Sequence, residues 1–567
     1  MSDSNSTVRI KIFPLNKEIT VPKNSNLFFE LQKKNIPIDG ICGGNMVCGK
    51  CAVQILSGGT TPPSPSDLKF FTSEQIESNF RLACTLTVEK NMIIQIPEEH
   101  LVSNIIHIEE LDKITVKVNT IFDIIKNRNS KELFFNNEKI SVFTAESNIY
   151  GIAFDIGTTT IVAALINLET GEIVNEEFRL NPQQKYGADI ISRITYTMQN
   201  PNGENDLQDI LISILNNIIE SFVIKNKINK EQIMFTVISS NAVINHSLLK
   251  EKLSSFSTYP YKPVFRKKDF IKCKEINIRI NDSGLLFIVP NIDGFVGGDI
   301  TSDIISSKFG SKQLNELLID IGTNGEMVLN TKGKLTATST AAGPAFEGAK
   351  IRFGMIAKEG AIDRVSIVDN DIEINVIGNA HPTGICGTGI ITAIASFLKL
   401  NWIDYTGKIL PEQCGDRYFE DTEHNIRAIK LTDKIYITQQ DIREFQLAKG
   451  AIYAGISLLL KKFNLTINDL DKMYIAGSFG KYLDIDNAVL LKMFPKIDSN
   501  KIQFIGNGSL HGASLILLNK EKIQEALNIV DSISFFELAN SSEFQNFYIE
   551  ESLYFNIPGD SMYFRSK

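Results

Sequence analysis

The chain has few histidines, no excess of positive charge and no long unbroken apolar run. Six histidines among 567 residues are few for a metal centre built from imidazole, although three would suffice. Lysine and arginine number 58 against 66 aspartates and glutamates, a formal charge of −8. That balance argues against a nucleic-acid partner, because the chain has no net positive charge with which to neutralise phosphates. The greasiest stretches, such as ILISILNNIIESFVI, carry polar residues at helical intervals and fall short of the roughly 18–20 apolar residues that cross a bilayer. The first residues, MSDSNSTVRIKIF, show neither the basic nor the apolar region of a secretory signal. The expectation is a cytoplasmic protein without membrane association. Seven cysteines, an odd number, fit reduced thiols or metal ligation better than a closed set of disulfides.

The hydrophobic fraction of 43% is enough for sizeable cores, and the length implies several domains. Four of the cysteines, Cys42, Cys48, Cys51 and Cys84, lie in the front of the chain with the spacing C-x5-C-x2-C-x32-C. Before them, TVRIKIFPLNKEIT predicts two strands around a turn at Pro14–Asn16, and SNLFFELQKKNI predicts a helix. Three cysteines in a glycine-rich loop can wrap an iron–sulfur cluster. Gly43, Gly44 and Gly49 permit the tight backbone and leave amide donors to face sulfur. Cys84 returns from a later strand as the fourth thiolate. A structural zinc site would more often use two close cysteine pairs.

These four cysteines resemble the ligands of a [2Fe–2S] ferredoxin with a β-grasp fold. The plant-type pattern has four residues in its first gap; the five found here resemble the adrenodoxin-like branch. The resemblance assigns residues 1–97 to a ferredoxin domain. Residues 98–148 read as a connector or reduced middle domain. Within it LDKITVKVNTIFDIIKNRN predicts a strand and then a short helix, and ELFFNNEKISVF continues a small mixed unit.

The segments IYGIAFDIGTTTIVAALI, at 149–166, and LLIDIGTNGEMVL, at 317–329, repeat one pattern. An apolar strand ends in Asp-Ile-Gly-Thr, a polar turn follows, and a second strand leaves at once. The repeat implies a duplicated architecture with a site between its halves. Backbone N–H groups and threonine hydroxyls in such turns can hold phosphate oxygens. A carboxylate at each strand end, Asp155 and Asp320, can orient hydrated Mg2+. A third segment, MYIAGSFG at 473–480, ends a strand in a glycine-rich turn. PNIDGFVGGDITSDI, at 290–304, places Asp293 and Asp299 around glycines before a helix. Either could orient water or a metal, or cap the helix. The small-residue stretch ATSTAAGPAFEGAKIRFGM, at 337–355, could form a nucleotide or partner surface. HPTGICGTGIITAI, at 381–394, reads as a loop entering a helix, but lacks the Lys-Ser/Thr end of a Walker loop. Cys386 reads as a small buried residue, and Cys273 and Cys414 have no ligand partners near them in sequence.

Together the three strand-and-turn segments resemble the ATPase fold shared by sugar kinases, actin and Hsp70 chaperones, the duplicated α/β, ribonuclease H-like ASKHA fold. That resemblance implies a first phosphate segment at Asp155, Gly157, Thr158 and Thr159, and a second at Asp320, Gly322, Thr323 and Asn324. It implies an adenosine segment at Gly477, Ser478 and Gly480, and it brings the helix that carries Lys449 near nucleotide. Asp155, Asp320 and Asp299 are the candidate catalytic carboxylates. The ATPase body is expected over 149–525, and 526–567 reads as a mobile or edge-packing tail without chemistry.

The whole arrangement resembles the reductive activators of corrinoid-dependent methyltransferase systems. AFDIGTTTIVAAL, NPQQKYGADIISRI, PNIDGFVGGD, HPTGICGTGII, DIREFQLAKGAI and AGSFGKYLD carry the resemblance. It implies ATP-dependent, one-electron reduction of an inactive Co(II) corrinoid to Co(I). It further implies a [2Fe–2S] cluster, ATP and Mg2+ as cofactors, an external low-potential electron donor, a corrinoid protein as partner and a homodimer. No Asp-x-His-x-x-Gly corrinoid motif occurs, so the cofactor would be met on the partner. Other readings are an ATP-driven electron donor to another low-potential metalloenzyme and a redox-sensing binding protein.

Overall fold

The computed structural model describes residues 6–34, 36, 38, 44, 46, 49–58, 62–97, 116–348, 350–422, 426–477, 483–538 and 542–556. Alternating residues in the two front strands, Thr7–Phe13 and Lys17–Pro22, pair antiparallel, and Ile10 and Ile12 face inward. They open a five-stranded sheet that continues through Met92–Gln95, Ala52–Ser57 and Phe80–Leu82. Thr7–Phe13 runs parallel to Met92–Gln95. The helix Leu27–Lys33 starts at Asn26, whose side chain accepts from the Phe28 N–H at 3.1 Å. Its Leu27, Phe28 and Leu31 share a core with Ile10, Val53 and Ile94. This is the expected β-grasp arrangement.

The described part of the connector is a three-stranded antiparallel sheet of Asp123–Lys126, Ser130–Phe135 and Glu138–Thr144. The short helix expected at FDIIKN is therefore a strand. Asn127 N–H closes a tight turn onto the Ser130 carbonyl at 2.8 Å, leaving too few residues to nucleate a helix. The sheet is anchored to the body. Phe122 packs edge-on against Phe235 at 5.9 Å, and Lys131 pairs with Glu169 at 2.8 Å.

The body is built twice from one plan. In the first half Tyr150–Ile156 sits between the antiparallel Thr160–Asn167 and the parallel Ile233–Ser240, with Ile173–Leu180 and Leu285–Ile288 outside them. In the second, Asn315–Ile321 sits between the antiparallel Gly325–Thr331 and the parallel Lys472–Ala476, with Lys334–Thr340 and Ile502–Gly506 outside. Between the sheets the helices Gly298–Ser307 and Gly508–Leu518 cross closely. A Cβ on Gly512 would lie 2.2 Å from the Ser302 carbonyl oxygen, so only glycine fits there. The helix Gly203–Asn226 is long and apolar enough by composition to span a membrane. Here Leu207, Leu211, Leu215, Ile218 and Phe222 lay one face of it on the first sheet.

The described C-terminal segment, as far as Asn556, is part of the body. The boundary expected at 525/526 falls inside the helix Lys520–Ser532. Ser534–Phe535 then adds to the second sheet, and Phe555 is 1% exposed in the second-half core. Aromatic residues that read as a polar-aromatic tail are apolar anchors at intervals, which the high polar content of the segment masks.

Candidate functional site

Two sites emerge. The first is the cysteine corner. Cys51 precedes the strand Ala52–Ser57, and Cys84 lies in the 3-10 turn Ala83–Thr85. Both are 1% exposed. The Ala83 N–H donates to the Cys51 carbonyl at 2.7 Å, and Asn26 Nδ2 donates to the Cys84 carbonyl at 2.8 Å. The loop leading to Cys51 needs its glycines. Gly44 has φ +91° and Gly49 has φ +70°, and a Cβ on them would approach the Phe29 and Phe70 rings to 2.8 and 2.6 Å. Two sequestered thiols on adjoining backbone, beside a loop that excludes side chains, fit a thiolate-held cluster. Cys42 and Cys48 lie outside the described residues.

The second site is a cavity of about 290 Å³ between the halves of the body. Asp155, Gly157, Thr158 and Thr159 come to it from the first hairpin, and Asp320, Gly322, Thr323 and Asn324 from the second. Asp299, in the first turn of its helix, and Gly477 also line it. Ser478 and Gly480 lie outside the described residues. A Cβ on Gly477 would sit 2.4 Å from the Ile321 carbonyl oxygen, so this turn is pressed against the second hairpin. Asp293 is elsewhere, paired with Lys262 at 2.5 Å. Lys449 is also elsewhere: its ammonium donates to the Glu551 and Tyr554 carbonyls under the C-terminal segment.

The cavity is strongly acidic. Asp155, Asp299, Asp303, Asp320, Glu326 and Glu347 line it, and no lysine or arginine does so among the described residues. Burial raises the pKa of all six; it takes Asp299 and Asp320 to about 7 and holds Asp303 and Glu326 well above the usual carboxylate range. Neither oxygen of Asp303 meets a donor among the described residues. Burial and the nearby Asp320, Asp299 and Asp155 carboxylates favour the neutral carboxyl there. Asp155 is better served: Asn507 Nδ2 donates to it at 2.9 Å and Ser509 Oγ at 2.7 Å. An anion such as a nucleotide phosphate could enter this cavity only with a cation. The described carboxylates do not converge closely enough to ligate one bare ion. Carboxylate oxygens are the donors that a hard cation such as Mg2+ prefers, and such an ion usually keeps several of its own waters.

Residues 315–563 match the family described as the C-terminal domain of RACo, the ASKHA domain. Residues 150–312 match the RACo middle region, and residues 10–89 match the 2Fe-2S iron-sulfur cluster binding domain. The chain belongs to the RACo family. The RACo middle region thus falls on the first half of the body and not on 98–148. The corrinoid activation enzyme RamQ of Eubacterium limosum is 29% identical over 96% of this chain and 98% of its own. A Methanosarcina barkeri protein, [Co(II) methylated amine-specific corrinoid protein] reductase, is 27% identical over 72% of this chain and 77% of its own. A solved reductive activator for corrinoid, iron-sulfur protein superposes with a TM-score of 0.72 at 28% identity, over 96% of this chain and 98% of that one.

Several site residues of this RACo chain escaped sequence reasoning. Asn507 and Ser509 stand in IGNGSLHG, a strand–turn–helix visible in sequence, but their bond to Asp155 spans some 350 positions. Arg193 carried a legible hint, a charged residue in the otherwise apolar face of IISRIT. It is 1% exposed, and its guanidinium donates to the carbonyls of Thr158 and Gly187, the latter at 3.0 Å. Glu347 closes the set. Its carboxylate accepts from Thr159 Oγ1 at 2.7 Å and from Thr323 Oγ1 at 3.0 Å.

Proposed function

We propose that the protein is an ATP-dependent reductive activator that passes one electron to a corrinoid protein, converting inactive Co(II) to Co(I). A single observation carries the reading: in one chain of this architecture, the ferredoxin domain sits against the same body whose two halves enclose the acidic cavity. Lys50, next to Cys51, donates to the Arg352 carbonyl of the body at 2.9 Å.

A [2Fe–2S] cluster supplies a one-electron couple, with Cys42, Cys48, Cys51 and Cys84 as its ligands. The β-grasp core excludes water from Cys51 and Cys84. Gly157, Thr158 and Thr159 in one half, and Gly322, Thr323 and Asn324 in the other, are placed to receive phosphate oxygens. Asp155, Asp299 and Asp320 orient the waters of an accompanying Mg2+. Gly477, Ser478 and Gly480 form the adenosine side. Binding across the two hairpins couples nucleotide to closure of the halves. An external low-potential donor reloads the cluster, and the protein works in the cytoplasm as a homodimer.

Two substitutions separate the parts. Cys84→Ser is expected to abolish the visible absorption of the cluster while leaving ATP binding within about twofold. Asp155→Asn is expected to leave that absorption intact and to weaken nucleotide-dependent Co(I) formation by at least about tenfold, the order of one lost charge-assisted contact. A normal cluster in Cys84→Ser, or unaltered coupling in Asp155→Asn, would contradict the assignments.

A further inference from the structure

The segment 343–357 joins the two sites. Phe346 and Glu347 at its start line the cavity, and so do Met355, Ile356 and Ala357 at its end. Between them the backbone is pinched at a neck. A Cβ on Gly348 would lie 2.5 Å from Met355 N, and one on Gly354 would lie 2.2 Å from the Gly348 carbonyl oxygen. Gly348 also has φ +79°. The tip beyond the neck carries Arg352. Its N–H donates to Asp441 Oδ1 at 2.8 Å, and its guanidinium lies 5.5 Å from the centre of the Tyr436 ring. The Arg352 carbonyl receives the Lys50 ammonium. Motion at Glu347 therefore has a short covalent route, five residues long and closed by two glycines that fit no side chain, to the residue beside Cys51.

Glu347 stands where an anion belongs. Its two carboxylate oxygens take the hydroxyls of Thr159 and Thr323, one from each Asp-Ile-Gly-Thr hairpin. The Gly343 N–H adds a bond to the Thr323 carbonyl at 2.8 Å. A second contact mirrors this one on the other half. Gln184 Nε2 donates to the Thr159 carbonyl at 3.1 Å, and the adjacent Lys185 lies over the Phe29 ring at 5.4 Å. Phe29 is the ring that confronts Gly44 in the cysteine loop. Each phosphate hairpin is thus one segment away from the ferredoxin domain.

We propose that Glu347 is the nucleotide sensor of the protein, a built-in anion that holds both phosphate hairpins and, through the 343–357 strap, clamps the ferredoxin domain at Lys50. This rests on the reading of the cavity as a nucleotide site. A bound phosphate group takes the two threonine hydroxyls and repels the Glu347 carboxylate. The strap shifts, the Arg352 carbonyl leaves Lys50, and the ferredoxin domain is released to carry its cysteine corner to a partner. The differential contact is explicit: Glu347 favours the clamped state, and nucleotide the released one.

Amide hydrogen exchange on the full-length protein tests this, with Mg2+ and a non-hydrolysable ATP analogue, alongside calorimetric measurement of analogue binding. In the wild type the analogue should speed exchange in peptides covering 44–51 and 348–355 by roughly threefold or more. Glu347→Ala should show that fast exchange without analogue, respond no further, and bind the analogue about tenfold more tightly because the competing anion is gone. Lys50→Met should free 44–51 without analogue and, because it weakens the clamped state, bind the analogue more tightly than the wild type, though by less than Glu347→Ala. Analogue binding with unchanged exchange in the wild type would overturn the sensor role, as would weaker binding by Glu347→Ala. No analogue binding by the wild type would overturn the nucleotide reading of the cavity, and the sensor with it.

Discussion

His246 and Asp303 are both buried ionisable side chains, and each avoids a buried charge in its own way. His246 Nδ1 donates to the Ala242 carbonyl at 2.6 Å, and Nε2 accepts from Val264 N–H at 2.9 Å. With both nitrogens used, a second proton has nowhere to go. Burial lowers the pKa to about 4, although the neighbouring Glu251 opposes the shift. Between pH 6.5 and about 4 the unfolded chain takes up the proton and the folded one does not. His246 therefore stabilises the fold fully above pH 6.5, and that stability, about 3 kcal/mol, is lost as pH falls toward 4. The raised carboxyls of the cavity act in the opposite direction as they protonate, so the term must be isolated by difference. Denaturant unfolding of wild type and His246→Asn between pH 7 and 5 should show a steeper loss in the wild type. Equal slopes would contradict a neutral His246. None of this was legible in the sequence, where His246 is one histidine in NAVINHSLL; its acceptors and donors are supplied by the fold.

Elements announced by pattern were legible, and elements set by distant contacts were not. The two Asp-Ile-Gly-Thr hairpins could be read because strand, turn and strand are local, and their repetition marked the duplication. The FDIIKN strand was hidden because its partner, Ser130–Phe135, gives it its conformation. The C-terminal segment was hidden because helix Ser542–Leu553 is ordered by helix Gln439–Lys462. Gly450 leaves room for Ser552 there, and Lys449 ties down two carbonyls. The helix Ile190–Gln199 shows the same logic within the site. Asp189 caps it, accepting from Ser192 N–H at 2.7 Å, which sets Arg193 under the first Asp-Ile-Gly-Thr hairpin. Arg193→Met would leave the Thr158 and Gly187 carbonyls unpaired and cost about 2 kcal/mol or more. Calorimetry should show nucleotide affinity falling at least about tenfold while cluster absorption is unchanged. Undiminished affinity would mean that the hairpin does not need this support.

At the scale of the whole molecule, the front domain and the body were legible as separate things, because cysteine spacing and hairpin repeats are each local. How they meet was not legible. The Lys50–Arg352 and Lys185–Phe29 contacts join residues that no spacing rule relates, and they carry the functional argument. The central claim is that nucleotide in the body governs an electron leaving the front domain. Its most direct test is an anaerobic single-turnover experiment. The protein, reduced beforehand and freed of donor, is mixed with a Co(II) corrinoid protein, with and without Mg2+ and ATP, while cluster and corrinoid absorption are followed together. The account predicts that with ATP one Co(I) forms for each cluster oxidised, and that without ATP neither signal moves on the same timescale. Equal Co(I) formation with and without ATP, or Co(I) formation while the cluster stays reduced, would contradict it.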